Sequence, residues 1–130
     1  MSKLGCVCGH VIRDQTDNLP YKGLIIRDKH YDRDFDVVLD EIAAFMQAVQ
    51  QGKRHEWLAT RFSENYANLK LDDTSVISSL WSAFVVKYTL DIYQCENCGR
   101  VHIEGKNNYF HSFKPDKADS QGVLDVEPKT

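Results

Sequence analysis

The chain has 130 residues, long enough to bury a core, and its 42% hydrophobic and 27% charged side chains are the balance of an ordinary globular protein. A formal net charge of −3 and a pI near 5.9 argue against a dedicated nucleic-acid binder, which carries a basic face. No run approaches the ~18 apolar residues of a membrane span, so no membrane segment is expected.

Lys3 to Asp14 reads as a strand, a tight turn at Cys6-Val7-Cys8-Gly9 and a second strand through Val11 and Ile12. No apolar stretch precedes Leu4-Gly5-Cys6, so neither a lipoprotein nor a secretory signal is expected. The expected location is cytoplasmic, where thiols stay reduced. Asp14 to Pro20 is polar and turn-rich, and Tyr21 to Ile26 reads as a short strand between charged residues.

A helix follows. Phe35, Val38, Leu39, Ile42, Phe45, Met46 and Val49 recur at helical spacing and form one apolar stripe. Asp32 or Asp34 suits its N-cap, and Gly52 its end. A short second helix is predicted over Arg54 to Phe62, then a loop from Ser63 to Leu71. Asp72-Asp73-Thr74 is a cap cluster for a third helix, whose stripe is Val76, Ile77, Leu80, Trp81, Phe84, Val85 and Tyr88. Together with Trp57, these stripes are the expected core.

The period then changes from helical to alternating. Leu90 to Cys95, Arg100 to Glu104 and Tyr109 to Phe113 read as a three-stranded antiparallel meander, and the polar residues 116–130 as a flexible tail.

The chemistry lies in the cysteines. Cys6-Val7-Cys8-Gly9 and Cys95-Glu96-Asn97-Cys98-Gly99 each have the form of a zinc knuckle, a tight turn whose backbone N–H groups point at a thiolate. Two such half-sites supply the four sulfurs of a closed structural Zn2+ site, with Cys6, Cys8, Cys95 and Cys98 as ligands. The first knuckle has one residue between its cysteines, where two is usual. One shared metal makes everything from Gly9 to Gln94 an insertion, far longer than the ~15–20 residues of a compact ribbon. The expected fold is α+β: a split zinc ribbon with a small antiparallel sheet and a three-helix insertion, forming one domain over residues 1–115.

Other chemistries fit less well. Four thiolates leave a metal no open position for catalysis. Rubredoxin-like iron meets the donor count, but nothing in the spacing recommends it. Cys95-x-x-Cys98 lacks the helix that a thioredoxin-type pair opens. His10 or His102 is a substitute ligand if the short gap keeps Cys6 and Cys8 from binding together. No phosphate loop, nucleophile elbow or carboxylate pair is present, so no enzyme activity is expected.

One surface feature remains. Asp28, Asp32, Asp34, Asp36 and Asp40 crowd a short stretch with Tyr31. They read either as a solvated helix start or as an acidic, tyrosine-bearing surface for a basic protein partner.

The Cys6–His10 opening, the Gly52-Lys-Arg-His-Glu-Trp57 element, the closing Tyr93-Gln-Cys-Glu-Asn-Cys-Gly-Arg100 and the Asn108–Pro115 end resemble a group of small bacterial split zinc-ribbon proteins. Some of these look like immunity proteins of polymorphic or contact-dependent toxin systems. The resemblance implies a cytoplasmic protein that neutralises a cognate toxin domain by binding it, and the acidic surface suits a basic toxin such as a nuclease. The alternative is a zinc-ribbon nucleic-acid-binding or transcription accessory protein, for which a contiguous Lys/Arg patch is the discriminating feature.

Overall fold

The computed structural model describes residues 2–130. The fold is α+β, with two small antiparallel sheets and four α-helices. The described residues divide into two compact units: residues 2–25 with 90–130, and residues 26–89.

The first unit holds all the cysteines. Strands β1 (Lys3–Gly5) and β2 (Val11–Arg13) pair antiparallel, with Leu4 opposite Ile12. Strand β3 (Lys22–Ile26) begins the second sheet, in the order β3-β4-β5-β6. The predicted meander is present as β4 (Thr89–Gln94), β5 (Val101–Glu104) and β6 (Phe110–Phe113), with Tyr93 opposite His102 and His102 opposite Ser112. The sequence treated β3 as a separate strand. In the structure it extends the meander, and Gln94 N–H donates to the Tyr21 carbonyl at 2.8 Å. Alternation places Tyr93 and His102 on one face, and Tyr93 joins Ile12, Cys6 and Cys95 in a small buried cluster.

A polar network ties β2 to the sheet. Asp14 accepts from Lys22 Nζ at 2.6 Å and from the Tyr93 hydroxyl. Tyr21 donates to the Arg13 carbonyl at 2.5 Å. Burial works against the Asp14 charge, but the hydrogen bonds from Lys22 and Tyr93 outweigh it and hold the carboxyl below its ordinary value of 3.8.

The residues expected to form a flexible tail make specific contacts. Gln94, 2% exposed, donates through Nε2 to the Gly99 carbonyl at 3.2 Å and to the Ser120 carbonyl. Its Oε1 accepts from Val123 N–H at 3.0 Å. A buried side-chain amide needs both of its ends satisfied, and the C-terminal segment supplies the partners.

The second unit is helical. Helix α1 (Asp28–Gln50) starts about one and a half to two turns earlier than expected, after Arg27 in extended conformation, with no side-chain cap. Neither Asp32 nor Asp34 caps it. A cap requires non-helical backbone, whereas Asp34 sits inside the helix, paired four residues back with His30 Nδ1. The end near Gly52 is a Schellman turn: Lys53 N–H reaches the Ala48 carbonyl at 2.8 Å and Gly52 N–H the Val49 carbonyl at 3.3 Å.

Helix α2 (Arg54–Arg61) is as predicted. The Ser63–Leu71 loop holds a further helix, α3 (Glu64–Asn68). Ser63 caps it through Oγ to Tyr66 N–H at 3.0 Å, and Tyr66 stacks on Phe62. At five residues it shows too little apolar period to be read from sequence. The insertion therefore has four helices rather than three. Helix α4 (Asp73–Tyr88) is capped by Asp72, which accepts from Ser75 N–H at 2.9 Å.

Val38, Phe45, Leu58, Ala67, Val76, Leu80 and Phe84 form the buried core of this unit, with Trp57 tilted on Phe45 at 5.4 Å. The apolar stripes are wider than that core, and Leu39, Met46 and Trp81 lie at the surface.

Two measurements check this account. Leu80→Ala, at a site 1% exposed, should destabilise the protein by about 2–5 kcal/mol in denaturant unfolding, because it leaves a cavity among α1 and α4 side chains. Asp14→Asn should cost about 1–2 kcal/mol at pH 7, from weakened hydrogen bonds to a charged acceptor. Because the Asp14 carboxyl is depressed in the fold, its contribution is full above its ordinary value of 3.8 and disappears as pH falls through the lower folded value. The gap between wild type and variant should therefore close in unfolding curves below that pH.

Candidate metal centre

The two knuckles build the same turn from different lengths of chain. In the first, Cys6 N–H bonds to the His10 carbonyl and Gly9 N–H to the Cys6 carbonyl, both at 2.9 Å. In the second, Cys95 N–H bonds to the Arg100 carbonyl at 2.8 Å and Gly99 N–H to the Cys95 carbonyl at 2.9 Å. The first closes over three residues and the second over four, so the missing residue tightens the turn without changing its plan. Gly9 and Gly99 have φ of +98° and +81°, values that side chains with a Cβ rarely adopt.

This turn aims donors at the sulfurs. Cys8 N–H faces Cys6 Sγ and His10 N–H faces Cys8 Sγ. In the second knuckle, Cys98 and Asn97 N–H face Cys95 Sγ, and Arg100 N–H faces Cys98 Sγ. Two side chains add to this set. Asn97 Nδ2 donates to Cys8 Sγ and Arg100 Nη1 to Cys98 Sγ, each at 3.4 Å.

The sulfurs converge. Cys6 and Cys98 Sγ are 3.6 Å apart, as are Cys8 and Cys95 Sγ, and all four lie within 4.8 Å of one another. A tetrahedron of ~2.3 Å zinc–sulfur bonds separates its sulfurs by ~3.8 Å. The cluster is therefore geometrically compatible with a structural zinc site in a split zinc-ribbon-like arrangement. His10 and His102 are outside this four-sulfur group. His102 is 2% exposed, and its Nδ1 lies 2.8 Å from Ser112 Oγ. Desolvation and then the Arg100 charge lower its pKa, the direction of a buried neutral ring.

The local electrostatics divide the thiols. Burial pushes Cys6 up to about 12 and raises Cys95. The Asn97 amide and then His10 N–H hold Cys8 down at about 6, and Arg100 N–H lowers Cys98. Each knuckle thus pairs a buried sulfur that resists ionisation with an outer one that favours it. A divalent cation held by the four sulfurs would supply the charge that lets the buried pair lose their protons.

The family DUF8617, a domain of unknown function, matches residues 2–117. The chain belongs to this family. Its match includes both cysteine pairs and the helices between them, and ends short of the segment that satisfies Gln94. No curated protein and no solved structure matches the chain.

The acidic residues separate into two groups. Asp28, Asp32, Asp36 and Asp40 are exposed along α1, with Tyr31 58% exposed. Asp34 is buried at 8%, its carboxylate held by His30 and 3.5 Å from Arg33 Nε. It belongs to the inner side of the helix, and the exposed acidic face consists of the other four. Asn97 and Arg100 were missed as sulfur partners. Their position inside or next to the second knuckle is the signal that marks them.

Protein purified without added metal should contain close to one zinc per chain. Cys98→Ser should lose most of that zinc and at least about 2 kcal/mol of stability, which is about 8 °C or more in Tm for a unit of this size. Metal analysis and thermal unfolding of the two proteins side by side check both expectations.

Proposed function

We propose that this protein is a non-enzymatic binding module whose zinc-held ribbon is a scaffold and whose helical insertion presents the recognition surface. The observation that carries this reading is the exposed row Asp28, Asp32, Asp36 and Asp40 on a 23-residue helix, flanked by Tyr31. Four-residue spacing keeps these charges on one side of α1, and a row of like charge steers a partner of opposite sign.

The most concrete form of the reading is an immunity protein that neutralises a basic bacterial toxin domain, such as a nuclease, in the cytoplasm. The resemblance of the knuckles and of the chain end to proteins of that kind supports it, as does the sign of the exposed helix. Charge supports a protein partner over nucleic acid. Arg54 pairs with Asp73 at 3.0 Å, Arg61 with Glu41 at 2.8 Å, and Arg100 turns to a sulfur, so these arginines are engaged within the protein. No helix is long and apolar enough to cross a membrane.

Co-expression with the product of the adjacent gene is the direct test. Cells carrying that toxin should survive with this protein and die without it, and the two should purify as a one-to-one complex. Replacing Asp32, Asp36 and Asp40 with lysine should slow association about tenfold or more and flatten its salt dependence, while the fold survives because all three face solvent. A harmless neighbour, or one that does not bind, refutes the immunity reading.

A further inference from the structure

The apolar stripes of α1 and α4 are wider than the core they bury, and their surplus lies along one seam. On α1, Val38 and Phe45 are buried, while Leu39 and Met46 are 46% and 53% exposed. On α4, Val76 and Leu80 are buried, while Trp81 is 44% exposed. Trp81 meets Phe35 edge-on at 5.8 Å, and Leu39 lies one turn along from Phe35. Further along, Phe45, Met46, Val49, Gln50, Asp73 and Ile77 line an open cleft of about 280 Å³.

We propose that this α1–α4 seam is a docking groove for a basic amphipathic helix of a partner protein, an inference that rests on the protein-binding reading above. The apolar positions have helical spacing. Leu39 and Met46 are two turns apart on one helix, and Ile77 and Trp81 one turn apart on the other, which suits an incoming helix with apolar residues at i, i+3 or i+4, and i+7.

Charge selects the occupant. At ~100° per residue, Asp28, Asp32, Leu39 and Met46 fall within ~40° of one another around α1, so the two acids continue the line of the apolar row toward the helix start. Asp73 also lines the cleft, its carboxylate paired with Arg54 Nε at 3.0 Å. A helix whose apolar face is edged by Lys or Arg satisfies both features. A second copy of this chain brings the same aspartates of α1 to these positions rather than Lys or Arg.

The test uses the full-length protein, isotope-labelled for amide NMR, and a synthetic helical peptide of Leu and Lys, about 18 residues long to span the seam. The same peptide with Glu in place of Lys is the control. The expected result is amide shifts confined to α1 and α4 around Leu39, Met46, Ile77 and Trp81 with the Lys peptide, and none with the Glu peptide. A double variant, Leu39→Gln with Met46→Gln, keeps helix-forming side chains and should weaken binding about tenfold. If that variant loses helical circular dichroism, the wild-type shift map alone decides.

Equal binding of both peptides, shifts centred elsewhere, or undiminished binding by a folded double variant overturns the proposal. So does a concentration-dependent dimer of the free protein that covers the same residues. The co-expression assay separates this inference from the immunity reading. A toxin neutralised equally by wild type and double variant leaves the binding function standing and rejects the groove. Peptide docking on the seam without any toxin partner retains the groove and rejects immunity.

Discussion

The ribbon unit depends on the convergence of four sulfurs from opposite ends of the chain. Cys6 and Cys98 lie 92 positions apart in sequence, yet their Sγ atoms approach to 3.6 Å. The elements around them are small: three-residue strands on one side and four- to six-residue strands on the other. Such a unit buries few large side chains, chiefly Tyr93 and Ile12, with Cys6 and Cys95 beside them. A metal shared by the two knuckles would supply folding free energy that this core lacks. Closure entropy rises only slowly with loop length, by about 0.6 kcal/mol for each doubling, so a ribbon tolerates a helical unit inserted between its halves.

The unequal knuckles follow from the same need. A cysteine turn presents its sulfurs and also supplies N–H donors to them, because thiolates gathered at one point carry more negative charge than a dication cancels. Both turns keep the two closing backbone hydrogen bonds and the positive-φ glycine, although one is a residue shorter. The longer turn has room for Asn97, which crosses to Cys8 in the other knuckle, and it leads into Arg100, which brings a full positive charge to Cys98. The C-terminal segment completes this end of the unit by holding both ends of the Gln94 amide directly behind the second knuckle.

The helical unit follows a different logic. Its core of aromatic and aliphatic side chains is self-contained, with caps at Ser63 and Asp72 and a Schellman turn at Gly52. It therefore needs no metal within it. What it leaves exposed is a helix whose acids lie beside apolar side chains, and that combination gives the binding proposal its physical content.

The sequence alone determined the features that depend on local chemistry. Cys-Gly knuckles, a helical period in two long stripes and the alternation after Tyr88 are short-range patterns, and each produced the element it predicted. Tertiary structure decided the rest. Helix α1 begins before Asp32 and Asp34, and Asp34 pairs with His30 inside the helix, which a cap rule does not anticipate. Helix α3 is too short to carry a period, and its stability comes from Ser63 and the stacking of Phe62 on Tyr66. Strand β3 joins the sheet through a long-range hydrogen bond from Gln94, and the tail gains contacts because a buried amide elsewhere needs partners. The stripes specified which faces are apolar, but only the packing of α1 on α4 decided which part of each is core and which is surface. Periodicity records the direction a side chain points from its own helix, whereas burial depends on what the neighbouring helix covers.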